Sequence, residues 1–266
     1  MKKILAVILI LALAMFALAA CGNNDDDGPA AITSPGDLAA SGVRIGVQLG
    51  TTGHIHADEN FTDATVIPYN TNSDAILALL TGDVDAVIMD SEPARNFVAR
   101  NEGRIRTLDE LLTQEAYGIS LQLGSVYTAL FDEAINTLRD NGTLYGLIDY
   151  WVNEDPGASR YQSPPGTTHP NGTLLMGTNA DFPPFEFWDE GEIVGLDPDI
   201  ARAIGDLLGY EIEIVDMDFD GIIVAVQTGQ VDFGMAGMTI TEARRQHVDF
   251  TQGYFISGQS VIVRIP

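Results

Sequence analysis

An α/β fold of two similar units facing a cleft is what this sequence predicts, on three observations. From Ser34 onward, short apolar runs of strand length alternate with segments whose apolar residues recur at helical spacing. The run LTGDVD at 80–85 is echoed by QTGQVD at 227–232, and each stands directly before an apolar strand. Polar groups gather where those strands end, Asp90 after one and Gly237, Thr239 and Arg244 after the other. Strand ends of this kind are where open α/β sheets place ligand groups.

The first element is a short helix opened by Ser34 and Pro35, followed by a strand at 43–48 (VRIGVQ). The turn 50–53 (GTTG) is rich in N–H groups and leads into a helix holding His54 and His56. Two histidines at that spacing face different ways, and no cysteine or third histidine is near, so no metal site is expected. A strand at 66–69 and a helix at 73–80, stopped by Gly82, precede the buried strand 84–89 (VDAVIM), which ends at Asp90 and Ser91. Beyond it come a strand at 116–122, a helix carrying Phe131, Ala134, Ile135 and Leu138, and a second helix at 144–152. Residues 154–171, dense in Pro, Gly, Ser and Thr without an apolar period, read as a linker. The pattern then resumes with a strand at 174–178, an aromatic and proline loop through Phe187, and a helix with Asp197 as N-cap and Pro198 at its first position. A strand at 211–215, a loop around Phe219 and a helix through Val226 lead to the strand at Val231.

The chain of 266 residues carries 13 basic and 38 acidic side chains, a formal net charge of -25 at pH 7. Such a surface repels nucleic acid and anionic lipid, so nucleic-acid partners are excluded. The first twenty residues place Lys2 and Lys3 before an apolar run with small residues at its end, the plan of a secretory signal. Cys21, the only cysteine, follows Leu18-Ala19-Ala20 and resembles the acylated cysteine of bacterial lipoproteins. Residues 1–20 are thus expected to be a signal peptide and 21–33 a lipid-anchored tether, polar and acidic after Cys21. A single cysteine allows no intramolecular disulfide.

The stretch 231–244 (VDFGMAGMTITEAR) offers Thr239, Thr241 and Arg244 at the start of a helix. A guanidinium grips a carboxylate through two parallel hydrogen bonds, while hydroxyls and free N–H groups satisfy its remaining lone pairs. The plainer reading is a solvated Arg with Thr residues as helix caps. Asp90 likewise reads either as a ligand group or as the N-cap of the helix at Ser91. With Asp90 for a cation on one side and Arg244 for a carboxylate on the other, the cleft suits a zwitterion such as a free α-amino acid.

These segments resemble the bacterial extracellular solute-binding proteins of family 3, the amino-acid receptors of ABC importers. The motifs are GTNADFPPFEF, GLDPDIARAIGDLLG, the long run from MDFDGIIVAVQ to DFTQGYF, ITSPGDL, RIGVQLGTTG and GDVDAVIMD, covering 32–152 and 172–266. In the family the GTNADFPPFEF half comes first. The resemblance therefore implies a two-lobed periplasmic-binding-protein-like (type II) fold with a hinge, in circularly permuted order. It implies lobe 2 at 34–115, lobe 1 at 116–153 and 172–266, and 154–171 as the linker joining the usual ends. On that division the new ends fall at the first hinge crossing, and the strand near Ala116 is left as the sole covalent bridge.

Carried over motif by motif, Arg244 and Thr239 resemble the residues that hold the ligand carboxylate, helped by backbone at Thr52. Asp90, with the carbonyl of Gly237, resembles the ammonium site. Phe182 and Phe219 correspond to aromatic walls, and Asn179, Gln48 and Met89 to positions facing the ligand side chain. A neutral Asn179 with Gln48 implies a polar, uncharged side chain. The implied function is an extracellular receptor, membrane-tethered and monomeric, that delivers an amino acid to an ABC permease. It lies on the outer face of the cell membrane, or in the periplasm of a Gram-negative cell, and uses no cofactor or metal. The alternatives are a dehydratase of cyclic dienes on the same fold, for which Asp181 and Glu186 are available acids, or a sensor acting with a signalling partner.

Overall fold

The structure, a computed structural model, describes residues 31–266. The signal segment and Cys21 lie outside the described residues. Among the described residues no helix is long and apolar enough to cross a membrane.

Two five-stranded sheets organise two lobes, giving the expected α/β, two-lobed architecture. In the first sheet the order is Thr65–Tyr69, Arg44–Gln48, Ala86–Asp90, Gln259–Arg264 and Ile105–Thr107. In the second it is Glu211–Asp216, Thr173–Thr178, Phe233–Gly234, Ser120–Leu121 and Asp249–Phe250. Each sheet begins with three parallel strands and continues with antiparallel ones. The inner parallel strands Arg44–Gln48 and Ala86–Asp90 are buried, the edge strands Thr65–Tyr69 and Glu211–Asp216 are partly exposed, and helices link them as crossover connections require. The helix Asn72–Thr81 shows the local logic: Thr71 accepts the amide of Asp74 at its start, and Gly82 ends it with φ of 86°. Ala75, Ile76 and Leu79 then pack with Val84, Val87 and Ile262 of the sheet. Each of the Val, Leu and Ile side chains among them contributes roughly 1.5–3 kcal/mol when fully buried.

The segment Gln259–Arg264 corrects the expected division of the chain. Residues 172–266 do not all belong to one lobe, because this strand pairs with Ala86–Asp90 in the other, from Gln259 opposite Asp90 to Val263 opposite Ala86. Its sequence, QSVIVR, is buried on both faces, so it needs a central place in a sheet. Val261 and Val263 join Ile45, Val47 and Ile88 on one face of that sheet, while Ile262 joins Val87 and Phe97 on the other. The chain therefore crosses between lobes twice, at Glu115–Tyr117 and at Phe255–Ser257, and the crossing strands pair antiparallel. Both ends of the described chain lie in the first lobe, with Ile32 in the same cluster as Val261 and Val263. The expectation of a single covalent bridge near Ala116 does not hold.

Two local expectations also shift. The strand expected at 116–122 is broken into Glu115–Tyr117 and Ser120–Leu121. Between them, a Cβ on Gly118 would meet Ile240 at 2.8 Å, so the glycine lets the crossing strand run close beside 238–240. The helix expected to begin after Asp197 begins two residues earlier, as Leu196–Leu208. Gly195 is its N-cap with φ of 137°, and a Cβ there would stand 2.0 Å from the carbonyl oxygen of Phe185. Asp197, fully buried, is released to hold other groups. The linker 154–171 contains no helix or strand, yet it is tied down: the Tyr161 hydroxyl donates to Asp206 at 2.8 Å, and Asn171 Nδ2 to the carbonyl of Leu208 at 2.8 Å.

Candidate functional site

The carboxyl ends of the parallel strands of both sheets face one narrow cleft, with a cavity of only about 10 Å³ between the lobes. Gln48, Thr52 and Asp90 reach it from the first lobe, and Asn179, Phe182, Phe219, Gly237, Thr239 and Arg244 from the second. Nine of the ten expected ligand residues are thus brought together. Met89 is not among them: it packs in the first lobe with Ile76, Leu79 and Phe97. Side chains alternate along a strand, so when Asp90 faces the cleft its neighbour faces the sheet's covered side.

Arg244 is 7% exposed. Its Nη1 donates to the carbonyl of Thr239 at 2.8 Å and its Nη2 crosses to the carbonyl of Gly50 in the other lobe at 3.1 Å. The guanidinium lies over the Phe219 ring, 5.4 Å from its centroid. Burial lowers its pKa to about 10, against the opposing pull of Asp90 and Glu115, so it remains a cation at neutral pH. A guanidinium has five N–H donors, so donors remain for a carboxylate. Thr241 is the cap: its side chain accepts the Arg244 amide at 3.1 Å and thereby fixes the short helix Glu242–Arg245.

The Thr239 and Thr52 hydroxyls, expected to meet the ligand carboxylate, both donate to Oε2 of Glu115 at 2.6 Å. Gln259 Nε2 donates to the Thr52 hydroxyl at 3.1 Å. Sequence reading missed Glu115, which arrives on the hinge strand. Each hydroxyl has one proton to give, so a ligand carboxylate has to compete with Glu115 for it.

Asp90 occupies the N-cap position of the helix Ser91–Arg100 but makes no side-chain cap bond. Its carboxylate instead accepts the hydroxyl of Tyr117, another hinge residue that sequence reading missed. Burial raises its pKa from 3.8 to about 7; the Tyr117 bond opposes the rise and Glu115 adds to it. A cation placed beside it would restore the carboxylate.

Gly237 has φ of 52°, and a Cβ there would lie 2.4 Å from the Phe182 ring. Its amide donates to Asp197 at 2.8 Å, and Asp197 also accepts the hydroxyl of Tyr254. The misplaced helix cap is therefore the support of the ligand loop. Phe182 stacks in turn on Phe185, with centroids 5.5 Å apart.

Gln48 and Asn179 meet each other across the cleft, and this changes their expected part. Gln48 Nε2 donates to Asn179 Oδ1 at 2.8 Å and to the carbonyl of Asn70 at 2.9 Å, while its Oε1 accepts from Asn72 at 2.8 Å. Asn179 Nδ2 donates to the carbonyl of Met217 at 2.9 Å. Both Gln48 donors are used, so the two amides join the lobes and leave chiefly the second lone pair of Gln48 Oε1 to meet a ligand. A second contact across the cleft joins Asp181 to Ser73, whose amide and hydroxyl both donate to its carboxylate, the amide at 2.8 Å. Among the described residues no group of three or more His, Cys, Asp or Glu is placed to hold a metal ion. His54 and His56 are separately engaged, His54 with Asp58 at 3.3 Å and His56 against the Phe61 ring.

Residues 174–265 match the family described as bacterial extracellular solute-binding proteins, family 3. The chain is 43% identical over 89 residues to the arginine-binding extracellular protein ArtP of Bacillus subtilis, covering 34% of this chain and 35% of that protein. It is 37% identical over 117 residues to the arginine-binding protein ArgT of Corynebacterium glutamicum, covering 43% and 38%. Among solved structures, the arginine-bound form of domain 1 from TmArgBP is 46% identical, covering 35% of this chain and 81% of that one, with a TM-score of 0.31. The chain spans little more than a third of the length of the two curated relatives.

Proposed function

From the match of residues 174–265 to the bacterial extracellular solute-binding proteins, family 3, we propose a receptor that closes its two lobes on a free amino acid. One observation carries the reading: Asp90 and Arg244, buried and of opposite charge, come from different lobes to one cleft. In this reading Arg244 takes the ligand carboxylate through its spare donors, with the backbone at Thr52 and the hydroxyl of Thr239 completing the shell. Asp90 and the carbonyl of Gly237 take the ammonium, and Phe182 and Phe219 flank the carbon skeleton. Each charged end then meets the opposite charge, which offsets the cost of burying Asp90 and Arg244. Closure adds the contacts of Gln48 with Asn179 and of Asp181 with Ser73.

The ligand side chain is polar, and the receptor, a monomer, hands it to an ABC permease. Cys21 is diacylated and tethers the protein to the membrane, two acyl chains being enough for stable attachment. The Cys21→Ser variant should then leave the membrane fraction; its retention after signal processing counts against the anchor. The motif order supports a circular permutation, with the usual ends joined through 154–171 and the new ends inside the first lobe. A thermal-shift screen against the twenty amino acids tests the receptor reading. A ligand at about a hundred times its Kd adds about 2.7 kcal/mol of stability. Stabilisation by none of them counts against it.

A further inference from the structure

Glu186 is the one carboxyl in the cleft for which the binding scheme above has no use. It opens the strand Glu186–Asp189, is 1% exposed and lines the cleft beside Phe182 and Gly237. Neither of its oxygens accepts a hydrogen bond from any donor among the described residues. Buried carboxyls are kept only when paired or neutral, so with Asp197 as its hydrogen-bond neighbour this group is a neutral acid until a cation reaches it. The strongest influences on it after burial are acids: Asp197 from the helix Leu196–Leu208, Asp90 from the first lobe and Asp216 at the end of its strand. The remaining titratable groups around it are Tyr254, bonded to Asp197, Tyr117, bonded to Asp90, and Arg244 in the same cleft. Arg244 already answers Asp90 and, from the hinge strand, Glu115. The cleft is therefore short of positive charge, and a zwitterion supplies none in excess.

We propose that Glu186 is a specificity-determining residue of this cleft, offering its carboxyl to the side-chain cation of a basic amino acid. The inference rests on the receptor reading, in which Arg244 and Asp90 already serve the two ends common to all amino acids. Without the cation, Glu186 stays a carboxylic acid and shares its proton with Asp197, since two acids in contact away from water do not both ionise. Burial pushes the Glu186 carboxyl well above the carboxylate range, and Asp197 stands at about 6, its two oxygens held by Gly237 and Tyr254. When the cation arrives, the O–H bond of Glu186 breaks, the proton leaves to solvent and the carboxylate pairs with the ligand nitrogen. Charge and atoms balance as one proton out for one side-chain cation in.

The test is calorimetry at about pH 7 with arginine, lysine, ornithine and glutamine, on the wild type and on Glu186→Gln, in two buffers of different ionisation enthalpy. Wild type should prefer the basic ligands and release up to one proton more with them than with glutamine, whose ammonium already draws the proton from the half-protonated Asp90. Glu186→Gln should lose at least about tenfold for the basic ligands, keep glutamine within about threefold, and release no more protons with the basic ligands than with glutamine. The proton count and the preference are read on the wild type, so they stand even if the variant does not fold. Equal losses for all four ligands, or no loss and no proton release beyond that seen with glutamine, overturn the role of Glu186 while leaving the receptor reading intact. A wild type that prefers glutamine does the same, whereas one that binds no amino acid overturns both.

Discussion

Asp90→Asn separates what this residue costs the fold from what it does for a ligand. The carboxyl is buried, and burial, ahead of every other influence, lifts it from 3.8 to about 7. In an unfolded chain it ionises near the lower value. The folded value is the higher one, so the contribution of Asp90 to stability is complete below pH 3.8 and is lost as pH rises through about 7. Each pH unit between the two values is worth about 1.4 kcal/mol, so the ionised residue costs the unliganded protein about 4 kcal/mol at pH 8. An Asn at this position still accepts the Tyr117 hydroxyl and carries no charge. The variant should therefore melt roughly 10 °C above the wild type at pH 8 without ligand, and the gap should close toward pH 4. With ligand the gap at pH 8 should narrow to roughly 1–2.5 kcal/mol, because a charged hydrogen bond of about 1.5–3 kcal/mol is lost from the ammonium. Melting curves of both proteins across this pH range, with and without ligand, read all of these terms. A gap that does not change with pH, or a variant less stable at pH 8, would refute the reasoning.

Glu115→Gln should tighten binding by about 1 kcal/mol, because it removes a charge that competes for the Thr52 and Thr239 hydroxyls; titration with the preferred ligand checks it, and weaker binding would make Glu115 part of the ligand shell. Asp181→Ala removes both bonds to Ser73 across the cleft, so affinity should fall by the same factor, about 1 kcal/mol, for every ligand. A change confined to some ligands would place Asp181 among the groups that read the side chain. Joining residue 266 to residue 32 and opening the chain within 154–171 should leave affinity and the small-angle scattering profile unchanged, since both crossing strands are intact in either order. A different ligand preference in the rejoined chain would contradict the permutation.

Much of the fold was legible where a segment's own pattern decides its structure. The helix Asn72–Thr81 carries its cap, its apolar face and its terminating glycine within a dozen residues. Asp90 and Arg244 stood out because charge at the end of an apolar strand or in a loop beyond one is locally anomalous. Glu115 and Tyr117 gave no such sign: they matter because the hinge strand lies against 238–240 and 255–257, more than a hundred residues away, with the Ile240 amide bonded to the carbonyl of Ala116. The strand Gln259–Arg264 was recognisable as buried, but burial on both faces suits the middle of either sheet, and only the pairing with Ala86–Asp90 decides between them. Asp197 next to Pro198 carries a strong helix-start signal, yet close packing of Gly195 on Phe185 sets the start earlier. Glu186 was visible as an acid in an aromatic motif, but its lack of a donor is a property of the packed cleft alone.

Calorimetric titration of wild type and Arg244→Ala with the amino acid that stabilises the protein most tests directly whether one ligand is held between Arg244 and Asp90. One molecule bound per chain, and a loss of at least about 2–5 kcal/mol on removing the guanidinium, is the predicted result. Unchanged affinity in Arg244→Ala would contradict it and place the ligand outside this cleft.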